Sequence, residues 1–375
     1  MNKLKKRTNN TQKAFEIVFK SFIPILLSVL FIFDGFGNTV TKILRMNLYL
    51  TQPEGLFHWI CKSGNITSTE KNDKNYIDSE ITKVTSNSIE SNIPEDVLSL
   101  MYKAQETYAK SSNDGKILEY DYSLQNATSE FNGVYLRNTT LNHPVNISDY
   151  IDGKVYARID KTKPVVLIYH THTSETYELL DRGYYTNERS TRSDSKDENM
   201  IRIGEEICKT LEENGYKTIH DKTIYDTEYS GAYDRSLSVI SKIIDENPSI
   251  QIALDVHRGT IYQKDGTKVK TVTTINNTKA AQIMIISGCE DGNVTDFPDW
   301  EKNLSFALNL QKQIVKDNPK LVRPLMFCSR KYNMDVLPCA LQIEIGTDAN
   351  TLAEAVFSAR MFALSLSELL KEYVI

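Results

Sequence analysis

Behind Pro164 the chain settles into a regular alternation of short apolar runs and amphipathic stretches. Three of the runs end in reactive side chains: VVLIYHTHTSE from Val165, IALDVHR from Ile252 and ALQIEIG from Ala340. A short, continuous apolar run reads as a strand buried in a parallel or mixed sheet. Between the runs, DENMIRIGEEICKTLEENGY sets Met200, Ile203, Ile207 and Leu211 at helical spacing and stops at Gly215. KTIHD reads as a second strand, and YDRSLSVISKIIDENP as a helix stopped by Pro248. VKTVTTIN and AQIMIISG read as two further strands, with a hairpin as one arrangement. A helix from Trp300 to Lys316, the strands LVRPLMF and ALQIEIG and a closing helix from Thr351 to Tyr373 complete the series. Strands alternating with helices predict an α/β fold, with a mostly parallel central sheet flanked by helices.

In open sheets of this kind the carboxyl ends of the strands converge on one crevice, where ligands bind. Two histidines and a glutamate delivered there suit a zinc ion and a general base. In IYHTHTSE a strand would put His170 and His172 on one side. His257 closes its run with Asp255 on the same face, placed to orient the imidazole or to serve as a structural acid. Glu344 ends the last run just before a glycine, where a buried carboxylate needs a partner or a metal. His220, in KTIHD, reads as structural, and Arg258 as a fork for a peptide carboxylate or a partner for a nearby acid.

The chain has 375 residues, room for one large domain with an appendage, and a formal net charge of −5, so nothing argues for nucleic acid. The 5 cysteines form no CxxC pair, and Cys208, Cys289, Cys328 and Cys339 sit in or beside apolar runs as buried thiols. At the N-terminus Lys3, Lys5, Lys6, Arg7 and Lys13 precede IVFKSFIPILLSVLFIF. Its uncharged part is as short as a signal-peptide core, but no small-x-small cleavage site follows. With Lys20 snorkelling toward the basic side, the segment reads as an uncleaved anchor that sends the rest of the chain outside the cell. The polar stretch from Asn65 to Asn92 reads as a flexible spacer. PEDVLSLMYKAQETYA carries a helical pattern without chemistry, and VYLRNTTLNHPVNISDYID alternates like an edge strand. The expected divisions are a basic tip and anchor over 1–40, a spacer over 41–92, an extension over 93–160 and the main domain over 161–375.

HTHTSE after an apolar strand, GAYDRS, LDVHR and the closing IEIGTDANTLAEA together resemble the stage II sporulation protein P family, from about Val134 through the C-terminus. The resemblance implies a membrane-anchored peptidoglycan hydrolase that acts in engulfment with stage II sporulation proteins D and M. It also implies kinship with zinc-dependent N-acetylmuramoyl-L-alanine amidases, and a second activity on peptide cross-links. Carried onto this chain, it makes His257 a zinc ligand and Glu344 the catalytic carboxylate, and puts the first histidine ligand in HTHT. Distance from the strand favours His172, and the strand-end position favours His170. For the acidic ligand Glu198 is the nearest match by position, with Asp194, Asp197 and Glu175 in competition; Glu175 is also a candidate, with Arg258, for contacting substrate. The family commonly follows DVHR with an Asp, whereas this chain has Gly259. Two other classes stand beside this reading: a catalytically silent wall-binding scaffold, and a serine hydrolase built on Ser174, which lacks the G-x-S-x-G elbow.

Overall fold

The computed structural model describes residues 93–153 and 155–375. The expected anchor and spacer, within 1–92, lie outside the described residues. No helix among the described residues is long and apolar enough to cross a membrane.

The chain opens with α1 (Glu95–Thr107), then β1 (Gly115–Tyr120), β2 (Ser129–Phe131) and β3 (Val134–Asn138). The main run follows: β4 (Pro164–Tyr169), β5 (Tyr184–Tyr185), α2 (Met200–Glu213), β6 (Lys217–His220), α3 (Ala232–Glu246) and β7 (Ile252–Gly259). It continues through β8 (Lys268–Ile275), β9 (Thr278–Ala281), β10 (Ile283–Gly288), α4 (Trp300–Asp317), β11 (Leu325–Cys328), β12 (Ala340–Thr347) and α5 (Leu352–Leu370). The helix ends follow local chemistry. Asn199 caps α2 by accepting from Ile201 N, and Gly215 leaves it at φ 83°. Thr351 and Glu354 form a reciprocal capping box on α5.

Eight strands form the central sheet in the order β2-β3-β11-β10-β12-β7-β4-β6. β6, β4, β7 and β12 run parallel, as do β3, β11 and β10 among themselves; the β10–β12 and β2–β3 pairs are antiparallel. The mostly parallel sheet matches the expectation. β3, however, is no edge strand: it lies between β2 and β11, with Val134 and Leu136 buried.

The larger departure is a separate sheet of four strands, β5-β1-β8-β9. The hairpin exists, but its second strand is TKAA, joined to β8 across Asn276 and Asn277, both in the left-handed region at φ 49° and 63°. The string AQIMIISG is thus divided. Its first residue, Ala281, pairs with β8, and Ile283–Gly288 belongs to the central sheet. Gln282 carries the chain across. Its fully buried amide accepts from Tyr122 N and donates to Asp121, Ser123 and the Lys320 carbonyl. An apolar run hides such a crossing, because both strands are buried.

The period of two along the strands sorts the faces of the central sheet. Ile252, Leu254 and Val256 of β7, with Leu341, Ile343 and Ile345 of β12, join the apolar core with Ile203 and Ile207 of α2, Leu304 and Leu308 of α4, and Phe362 and Leu366 of α5. The alternate positions are polar. Gln342 pairs with Asp255, and Glu344 with His257, side by side on the opposite face. There Thr171 Oγ1 links Asp255 Oδ2 at 2.7 Å to Ser236 Oγ of α3 at 2.9 Å. One face therefore builds the core, and the other carries titratable groups beneath α3.

Candidate metal centre

β4 stops at Tyr169, and HTHTSE leaves it as a tight turn. Thr173 Oγ1 donates to the His170 carbonyl at 2.6 Å, and Glu175 N donates to the His172 carbonyl at 3.2 Å. Asp255 pins the turn to β7 by accepting from Thr171 N at 2.8 Å. The turn thus aims His172 and Glu175 at the end of β7, where His257 projects.

His172, Glu175 and His257 each offer a ligand atom within 4.8 Å of the others, and all three are buried. His172 Nδ1 lies 3.8 Å from Glu175 Oε1, and His257 Nδ1 lies 3.8 Å from Glu175 Oε2. The two imidazole rings stand edge to face with centroids 5.0 Å apart. Asp255 Oδ1 sits 2.7 Å from His257 Nε2, holding the far side of the ring. Glu175 Oε1 is buried and has no hydrogen-bond partner among the described residues. A buried carboxylate that leaves one oxygen without a hydrogen bond and lies between two imidazoles is a donor set suited to a cation. The residues fit zinc, which takes nitrogen and oxygen donors of this kind.

The electrostatics agree. Burial works against a charged His257, but Asp255, Glu175 and Glu344 outweigh it and hold the imidazole's pKa at about 9. Burial, His257 and Arg192 push His172 down to about 3. Burial raises the Glu344 carboxyl above its ordinary range, against the pull of Arg323 and His257. Asp255, Glu175 and Glu344 thus set up a field around His257 that favours positive charge.

The other candidates fall elsewhere. His170 does not join the trio, because the strand has ended and its alternation no longer governs where the ring points. His170 Nδ1 donates to the Val256 carbonyl at 2.9 Å, and its Nε2 meets His220 Nε2 at 2.9 Å. Gly204 of α2 packs over this pair; a Cβ there would lie 2.4 Å from His220 Nε2 and 2.6 Å from His170 Nε2. Glu198 accepts from Arg189 Nη2 at 3.0 Å and Ser193 Oγ at 2.9 Å, outside the trio, and Asp194 and Asp197 are exposed. Of the acidic candidates it is Glu175 that lies with the two histidines. Arg258 is buried, and its guanidinium donates to the Thr176, Gly259 and Thr191 carbonyls and to Thr260 Oγ1. It ties loops together behind Glu175, whose Oε2 accepts from Arg258 N at 3.3 Å. At Gly259 a Cβ would come within 2.9 Å of Glu344 Oε2, so the missing side chain leaves room for that carboxylate. Ser174 Oγ donates to Asp226 at 2.6 Å. Cys208, Cys289, Cys328 and Cys339 are buried free thiols, as expected.

Sequence reasoning passed over the groups that surround the trio. Tyr229 stacks on His172 with centroids 4.6 Å apart, and Tyr233 lies parallel to His257 at 6.4 Å. Arg192 spans from Asp226 toward Glu175, and Arg323 acts on Glu344. Arg323 lies in LVRPLMF and Tyr233 in GAYDRS, but no spacing in either string marks them as neighbours of the histidines.

The donor set and the mixed sheet define a class, an α/β protein with a buried His–Glu–His donor set beside a further buried carboxylate. Residues 64–367 match the family described as Stage II sporulation protein P (SpoIIP), and the chain belongs to that family. It is 27% identical over 219 residues to stage II sporulation protein P of Bacillus subtilis (strain 168), a match covering 55% of this chain and 51% of that relative. The chain thus spans about half the length of the curated relative it matches. Among solved structures, the N-acetylmuramoyl-L-alanine amidase AmiC2 of Nostoc punctiforme matches at 12% identity and a TM-score of 0.31, covering 56% of this chain and 96% of that one. The CwlD amidase of Clostridioides difficile, solved in complex with the GerS lipoprotein, matches at 15% identity and a TM-score of 0.32, over 56% and 98% of the two chains.

Proposed function

We propose that this chain is a membrane-anchored, zinc-dependent peptidoglycan hydrolase of sporulation. It cleaves the amide between the lactyl group of the glycan and the stem peptide, and peptide cross-links are a second target. One observation carries the reading: Glu175 Oε1 is buried without a hydrogen-bond partner among the described residues, facing His172, with His257 at the other carboxylate oxygen. Family membership supports the sporulation setting and, through it, stage II sporulation proteins D and M as partners at the septal membrane. The apolar segment from Ser21 to Phe33 supports the anchor.

His172, Glu175 and His257 would hold the ion, and Asp255 fixes the His257 ring. Zinc, when bound, would supply a Lewis acid for the scissile carbonyl and lower the pKa of a water molecule from ~15.7 toward ~7. Glu344 stands beside His257 on the neighbouring strand, with its carboxyl pKa raised by burial. A carboxyl so poised takes a proton from the attacking water and returns it to the leaving amine. Gly259 leaves its Oε2 the room to move between the two tasks.

The test incubates the full chain, in detergent, with purified peptidoglycan, with and without chelator, and reads the products by mass spectrometry. Free stem peptides that vanish with chelator and return with zinc are expected, with cut cross-links alongside. Stable binding to the wall without any product would overturn the hydrolase reading in favour of a scaffold.

A further inference from the structure

Arg192 stands at the rim of the trio, and the backbone places it there before the side chain does. It pairs with Glu175 in an isolated antiparallel bridge. Ser193 N donates to the Ser174 carbonyl at 2.7 Å, and Thr176 N to the Thr191 carbonyl at 3.0 Å. From that position the guanidinium reaches inward and is anchored at one end only. Nη1 donates to Ser174 Oγ at 3.2 Å and closely to the buried carboxylate of Asp226. Its plane is steadied by Tyr229, whose ring centroid lies 5.2 Å from Cζ. Nη2 makes no hydrogen bond among the described residues, and it lies 3.8 Å from Glu175 Oε1, beyond hydrogen-bond reach. The side chain is 36% exposed, so this free end meets the outside at the edge of the metal centre. Arg258 offers no such end, because its donors are taken by the loops it ties.

We propose that Arg192 Nη2 receives a carboxylate on the peptide side of the scissile amide, and so selects stem peptides that are anionic next to the cleavage point. The inference rests on the hydrolase reading given above. A guanidinium held by Asp226 and Tyr229 is already oriented, so little side-chain freedom is lost when the anion arrives. If Glu175 Oε1 is turned to a metal, its charge is engaged there, and the free end of Arg192 is left for a second anion.

The test uses peptidoglycan fragments of four sugars whose stem peptides carry, at the second residue, either a free α-carboxylate or a carboxamide. Binding is measured on the full chain bearing Glu344→Gln, so that turnover does not intrude, and kcat/KM is measured with Glu344 intact. The carboxylate fragment should be favoured about tenfold or more in both. Arg192→Gln should remove that preference by weakening only the carboxylate fragment. Arg192→Lys keeps a cation beside Asp226 but should lose most of the preference, since one ammonium does not serve both anions with fork geometry. The ratio between fragments within each variant is unaffected by partial loss of folded protein. Equal handling of the two fragments by the unaltered chain, or a preference that survives Arg192→Gln, overturns the role of Arg192 and leaves hydrolysis standing. If neither fragment is cut, the hydrolase reading fails, and the binding ratio still decides Arg192.

Discussion

Two pairs of histidines gather at the same end of the sheet, and only one of them has a buried carboxylate between its rings. His172 and His257 face Glu175, with Asp255 and Glu344 close by. His170 and His220 face each other, a backbone carbonyl and the bare backbone of Gly204. Burial depresses His170 to about 4, His220 to about 2 and His172 to about 3, whereas carboxylates lift His257 alone to about 9. What sets the first pair apart is therefore the Glu175 carboxylate between its two rings. The second pair is a neutral hydrogen-bonded prop beneath the turn that carries His172.

The sharpest break in this comparison is at Glu344, which stands beside His257 without being part of the trio. Glu344→Gln should lower turnover by about a thousandfold while bound zinc stays near that of the unaltered chain. Product release and metal content on one preparation check both halves, and retained turnover would remove Glu344 from the chemistry. Next in size is the contrast between the pairs themselves. Glu175→Gln should weaken zinc binding more than ~100-fold, beyond the effect of losing an orienting partner. His170→Ala should leave zinc affinity within a few-fold and instead lower stability by about 1–3 kcal/mol, since it strands the Val256 carbonyl and His220. Competitive zinc titration and denaturant midpoints separate the two. The reverse pattern would exchange the roles of Glu175 and His170.

How far each pair could be read from the sequence follows the same division. His257 and Glu344 were legible because each lies on a strand, where a period of two fixes the face and neighbouring apolar residues mark the other side. The trio's other half lies in a turn. HTHTSE leaves β4 at Tyr169, and the register that would make His170 and His172 equivalent ends there. Which one faces the centre is set by Asp255 holding Thr171, a contact across 84 positions. Glu175 against Glu198 was equally hidden, because the closeness of Glu175 to His257 depends on β4 and β7 being neighbours. The second sheet was obscured for a similar reason. Nothing in AQIMIISG marks Gln282 as a crossing, since its four partners come from distant loops.

Asp255 tests whether the acid behind His257 matters to the metal or only to the turn. Asp255→Asn keeps an acceptor for Thr171 N yet removes the charge from His257 Nε2. Zinc affinity should fall about 10–100-fold. Unchanged affinity would assign Asp255 to the turn alone.

The smallest expected effect concerns the neutral pair and carries a sign. His220 has a folded pKa of about 2 against an ordinary 6.5, lowered first by burial, then by His170 and Lys222. Below pH 6.5 the unfolded chain takes up a proton at this residue that the folded chain refuses, so the stability owed to a neutral His220 is present above pH 6.5 and declines as the pH falls. His220→Asn removes that liability along with a hydrogen bond worth about 1 kcal/mol. The variant should therefore melt below the unaltered chain at pH 7, and the gap should narrow or reverse by about pH 5. A gap that stays constant across that range would mean that His220 carries a proton in the fold, and the contrast between the raised His257 and the neutral His170–His220 pair would be lost.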